Sequence, residues 1–146
     1  MEPFVKFNSE HGHYTADACV VWCFDDRFYK LLKAFGKQEG FGHIDLVKVA
    51  GGAKALASEE AASPERDFLL AQIKTSARLH GTKRVVLMLH RDCGGYGGSK
   101  SFESADAERE ELMKQLHQAQ DFVKKETGLT ADACFADFDG LYMHTL

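Results

Sequence analysis

The sequence predicts an α/β fold of three layers: a mostly parallel sheet with helices on both faces and a short C-terminal hairpin. Three observations carry that expectation. Apolar, β-branched-rich runs at residues 18–23 and 84–89 lack the polar alternation of a half-exposed strand, and residues 44–50 read as another strand between them. Apolar residues at helical spacing fill the stretches between and after them. Gly, Ser and Asp punctuate the junctions, as helix starts and stops require. Such alternation implies right-handed crossovers between parallel strands, and of the two commonest doubly wound orders 2-1-3-4 is the one expected here.

Residues 1–14 are polar and irregular, and His11-Gly12-His13 reads as a solvated pair on a loop. The first strand, Ala18-Cys19-Val20-Val21-Trp22-Cys23, runs directly into Phe24-Asp25-Asp26-Arg27. Phe28, Leu31, Leu32 and Phe35 then repeat on one helical face, with Asp25 and Asp26 at its start and Gly36 or Gly40 at its stop. The second strand, Ile44 to Ala50, ends at Gly51-Gly52. Residues 53–63, rich in Ala, Ser and Glu, fit a short helix or a mobile loop. Ser63-Pro64 is a strong helix start, Ser as N-cap and Pro in the first turn. Phe68, Leu69, Ile73 and Ala77 or Leu79 are expected to line its inner face as far as Gly81.

The third strand begins at Arg84 and leads into His90-Arg91-Asp92-Cys93, then four glycines in the next five residues. A long amphipathic helix is expected from Ser104 to Thr127, with Leu112, Leu116, Ala119, Phe122 and Val123 inward and Gly128 as its end. The final segment, 133–144, reads as strand, Asp139-Gly140 turn, strand. At 146 residues the whole chain, 1–146, is expected to be one domain.

Composition narrows the function. A net charge of −4 with interspersed signs offers no basic stripe for nucleic acid and no polybasic patch for a membrane surface. No apolar run approaches bilayer length, and the first residues lack a signal-peptide core, so a cytoplasmic location is expected. The four cysteines follow no disulfide framework. Cys19 and Cys134 lie in apolar runs and read as core thiols.

Cys23 and Cys93 have different neighbours. In a doubly wound sheet, ligands bind beyond the carboxyl ends of the strands where the winding reverses, here between the first and third strands. That places Cys23 beside His90 and Cys93. Two thiolates and one imidazole select zinc and leave a fourth position open, where water becomes acidic near neutral pH. Asp25 either accepts a hydrogen bond from that water or takes the fourth position itself, and Arg27 holds the carboxylate. A plainer reading makes Asp25 and Asp26 helix caps and Arg27 a surface partner. His43, His80, His117 and His144 show no ligand-like spacing. No Cys-x-x-Cys occurs, which disfavours a redox function.

Cys-x-Asp-x-Arg after the first strand, with His-x-x-Cys-Gly after the third, resembles the zinc site of the β-class carbonic anhydrases. Val47-Lys48-Val49-Ala50-Gly51-Gly52 resembles the family's Ile-Arg-Asn-Ala-Gly segment, and Gly140-Leu141-Tyr142 its terminal Gly-x-x-Tyr. The likeness spans roughly residues 18–142, and short members without an N-terminal helical arm are the nearest type. It implies reversible hydration of carbon dioxide to bicarbonate by zinc-bound hydroxide. Zinc would be held by Cys23, His90 and Cys93, with Asp25 and Arg27 as the catalytic dyad. Gly94 would admit the backbone to the site, and Phe24, Val49, Ala50 and Tyr96 would wall a small apolar pocket. A homodimer is also implied. Lys48 and Val49 depart from the family's Arg-Asn pair, and Asp26 stands where Ser or Ala is usual. Two other readings share this design: a zinc hydrolase acting on an analogue such as carbonyl sulfide, and a zinc protein without catalysis.

Overall fold

The computed structural model describes residues 1–144, in which five strands form one sheet ordered β2-β1-β3-β4-β5. They are β1 (Ala18–Cys23), β2 (Ile44–Val49), β3 (Arg84–His90), β4 (Thr130–Asp137) and β5 (Gly140–His144). The first four are parallel, and β5 returns antiparallel on β4 to make the expected hairpin. Three helices connect them: α1 (Tyr29–Glu39), α2 (Pro64–His80) and α3 (Ala105–Thr127).

The sheet divides the interior into two cores, because successive residues of a strand point to opposite faces. On one face Cys19, Val21, Val85, Leu87, Leu89 and Phe135 pack against α2 and α3 through Leu69, Ile73, Leu112 and Leu116. On the other, Val20, Trp22, Val86, Met88 and Cys134 meet Phe28 and the α1 residues Leu32 and Phe35. Cys19 and Cys134 are thus buried, one in each core.

Local chemistry sets the helix ends. Ser63 Oγ accepts the Arg66 N–H at 3.2 Å to open α2, and Ser104 Oγ accepts the Ala107 N–H at 3.0 Å to open α3. The left-handed glycines Gly40, Gly81 and Gly128 close α1, α2 and α3.

Two expectations need correction. Phe68 and Leu79 do not face the core and are 55% and 59% exposed, because α2 turns its Leu69, Ile73 and Ser76 stripe inward. Phe68 lies one residue, about 100°, off that stripe. The second strand, an edge with one pairing partner, is partly buried. β4 starts at Thr130, three residues earlier than expected. Its register pairs Thr130 with Arg84, whose Nε donates to buried Asp132 at 2.6 Å.

Residues 53–63 contain one 3-10 turn, Lys54–Ala57, which buries Leu56. Gly52 sits before it at φ +55°, where an added Cβ would collide with the Met88 carbonyl. Close contact between this turn and β3 therefore requires glycine.

Candidate metal centre

β1 and β3 are adjacent and parallel, so their carboxyl ends emerge side by side. Cys23 ends the first and His90 the second, and Cys93 follows three residues later. One ligand atom from each lies within 4.8 Å of the others. All three residues are buried, His90 completely.

The imidazole is preset. His90 Nδ1 lies 2.7 Å from the Arg91 carbonyl, which can only accept, so Nδ1 carries the proton. Nε2 keeps its lone pair and turns toward the thiols. It is buried with no hydrogen-bond partner, an arrangement rare enough to need a cause. The Phe28 ring, 4.5 Å away between centroids, packs against the imidazole.

The two thiols differ. The hydrogen bond from Cys93 holds Cys23 well below the ordinary thiol range, against burial and with help from His90. The same contact, reinforced by burial, pushes Cys93 upward. Burial is the largest single influence on His90 and disfavours its charged form, but Cys23, the Arg91 carbonyl and the Asp25 charge together turn the net shift upward. One nitrogen lone pair and two sulfurs in a buried cluster are a donor set that fits a zinc ion.

Asp25 is both a cap and the partner of Arg27. It caps the short 3-10 turn Asp26–Phe28, its Oδ1 accepting the Arg27 N–H at 3.0 Å. It also receives the Arg27 fork: Nε at 3.0 Å from Oδ1 and Nη2 at 2.7 Å from Oδ2. Those bonds hold the Asp25 carboxyl below the usual carboxylate range. Its Oδ2 stands 3.9 Å from His90 Nε2, beside the ligand cluster.

Arg27 has further partners that the motif did not indicate. Nη1 donates to Asp92 Oδ2 and Nη2 to the Asp92 carbonyl, each at 3.1 Å. The guanidinium lies 5.4 Å from the centre of the Phe138 ring, which stacks on Phe28. The one sequence signal for Asp92 is its place between two ligand candidates, which does not by itself name Arg27 as its partner. The Phe138 contact depends on a turn whose direction the pattern does not set.

The expected pocket residues are dispersed. Val49 and Ala50 line a groove of about 1040 Å³ between the start of α2 and the middle of α3, and none of the three ligand candidates does. Phe24 is 64% exposed, and its N–H donates to Val49 O at 3.0 Å. Tyr96 is half-buried, its hydroxyl donating to Gln115 at 2.6 Å. A Cβ at Gly94 would meet nothing within 4 Å; the close approach comes at Gly95, where it would sit 3.0 Å from the Gly51 Cα, with Cys93 Sγ in ordinary contact at 3.5 Å. His80 bonds Asp45 at 2.7 Å and His117 bonds Gln120 at 3.2 Å, neither in the ligand cluster. Among the described residues no helix is long and apolar enough to cross a membrane.

A family model described as "Putative carbonic anhydrase" matches residues 14–133. Among solved structures, the fold is similar to that of a carbonic anhydrase from Glaciozyma antarctica, with TM-score 0.60 and 15% identity over 90% of this chain and 83% of that one. It is also similar to β-carbonic anhydrase isoform I from the protozoan Trichomonas vaginalis, with TM-score 0.57 and 15% identity over 96% and 87%. One of two tetrameric β-carbonic anhydrases from Sordaria macrospora gives 0.52 and 17% over 90% and 81%. At such identities the likeness is one of fold. A search among curated proteins finds no match.

Proposed function

The chain belongs to the carbonic anhydrase family that this model describes, and from that premise we propose that it reversibly hydrates carbon dioxide to bicarbonate at a zinc ion held by Cys23, His90 and Cys93. The observation that carries the reading is the buried, unpartnered Nε2 of His90 facing two buried sulfurs beside the Asp25–Arg27 pair. Zinc, when bound, supplies a Lewis acid that makes a nucleophile of water near neutral pH.

The chain's own residues do the rest. Cys23 and Cys93 bring negative charge to balance the cation, and the Arg91 carbonyl keeps His90 in the tautomer that presents Nε2. Asp25, kept ionised by Arg27, is an acceptor only. It therefore selects and orients an O–H group beside the cluster, in the geometry that proximity effects require. Phe28 covers one side of the imidazole and limits water there.

The decisive experiment pairs elemental analysis with stopped-flow hydration. One zinc per chain is expected, with turnover rising from about pH 7 to about pH 9 as the nucleophile loses its proton. Protein without metal after zinc reconstitution, or zinc-loaded protein without turnover, would sink the proposal. Carbonyl sulfide consumption, assayed alongside, should be minor.

We also infer that residues 1–146 act as one zinc domain, in the cytoplasm and as a homodimer. Support for association comes from exposed Phe24, Phe138 and Met143 and from the unpaired outer edges of β2 and β5. Sedimentation at the mass of one chain, 16.3 kDa, at micromolar concentration would refute the dimer.

A further inference from the structure

Asp92 stands between two of the ligand positions, and its backbone is unusual. Its φ is +58°, and it is the one non-glycine residue at positive φ among the described residues. Aspartate tolerates this region better than most residues, but the conformation still has a cost and persists only where its surroundings hold it. Here they do. The Asp92 N–H donates to Glu108 Oε1 at 2.7 Å, and Asp92 Oδ1 accepts the Ser99 N–H at 2.8 Å. Glu108 is itself 1% exposed, and its Oε2 accepts from Arg91 Nη1 at 2.9 Å and from Ser99 Oγ at 2.8 Å. A buried carboxylate on α3 thus pins the ligand loop from behind.

Held in this way, Asp92 presents its remaining acceptors, Oδ2 and the carbonyl, to Arg27. The guanidinium has five N–H donors in a rigid fork. Nε and one Nη2 hydrogen serve Asp25, the other Nη2 hydrogen the Asp92 carbonyl, and one on Nη1 serves Asp92 Oδ2. With Asp25 alone the fork could swing with its carboxylate as one unit on a side chain that is 47% exposed. Gripped from both sides, it cannot rotate without breaking bonds to two different loops. Phe138 stacks below and restricts tilt.

We propose that Asp92 is the positioning residue of this site: it fixes Arg27 so that the Asp25 carboxylate stays aimed at the Cys23–His90–Cys93 cluster, with Glu108 as its anchor. The inference rests on the carbonic anhydrase reading for its catalytic consequence, but not for its geometry. The Asp92 hydrogen bonds go to Arg27, Ser99 and Glu108 and none to a ligand atom, so it acts through Arg27.

Two variants separate the carboxylate from the backbone. Asp92→Gly keeps the left-handed conformation and removes the side chain. Asp92→Asn keeps the shape but leaves one oxygen to serve Ser99 and Arg27, and turns an NH₂ toward a donor. In zinc-loaded protein, both are expected to retain one zinc per chain. The Arg27 Nε–H resonance, assigned with Arg27→Lys, should exchange with water at least about tenfold faster than in the unmodified protein. Carbon dioxide turnover should fall about tenfold to a hundredfold in kcat with KM little changed, the loss expected when a catalytic group is misplaced.

Unchanged Arg27 exchange in both variants would overturn the proposal. So would loss of zinc in both, because Asp92 would then hold the ligand loop rather than the dyad. If Asp92→Gly does not fold, Asp92→Asn decides alone. Should the unmodified zinc protein show no hydration, the catalytic reading fails, while the exchange measurement still decides the role of Asp92.

Discussion

Cys93 and Cys134 are both buried thiols, yet only Cys93 shares its surroundings with a second sulfur and an imidazole. Cys93→Ser is therefore expected to abolish zinc retention while Cys134→Ser leaves it intact, as metal analysis after dialysis would report. Equal loss in both would refute the assignment. The three ligand candidates were legible because spacing and strand ends are sequence properties. The role of Asp92 was not, since it depends on a φ of +58° and on which loop its Oδ2 meets. A second ion pair shows the same gap. Asp137 receives Arg91 Nη2 at 2.8 Å and Nε at 3.2 Å, which holds its carboxyl below the ordinary range. A depressed folded pKa contributes stability above the unfolded value of about 3.9, lost as the pH falls through the folded one. Asp137→Asn should flatten the acid limb of the melting temperature between about pH 5 and pH 2. A limb as steep as that of the unmodified protein would show that the pair carries no such linkage.

At the scale of elements, strand runs and cap residues were easy to read because each is a local signal: Ser63, Pro64 and Gly81 bound α2 as expected. The burial of a helix face is not local. Phe68 is as apolar as Leu69, and only the angle at which α2 meets the sheet decides which is covered. Phe68→Ser should change stability by about 0.5 kcal/mol or less, as surface changes do. Gly52→Ala should cost about 2–4 kcal/mol, since it adds a clash with Met88 to backbone strain. Urea unfolding of the two variants checks both, and a mild Gly52→Ala would mean that the turn can move off β3. The partial exposure of β2 agrees with its Asp45 and Lys48, but its place at the sheet edge is a matter of winding and not of local pattern.

For the molecule as a whole, alternation made the parallel sheet legible, while the 2-1-3-4 order came from the commoner doubly wound windings, and the expected hairpin places β5 beyond β4. The winding that puts β1 next to β3 also determines when the site comes into being. Cys23 and His90 are separated along the chain by all of α1, β2 and α2, and no local hairpin or helix draws them together. Their meeting requires β1 to find β3 across that interval, a contact of the slow, long-range kind. A half-made chain thus carries its ligand residues without possessing a site. On the proposed reading, uptake of zinc would follow that pairing and mark that the long-range strand contacts of a molecule are complete.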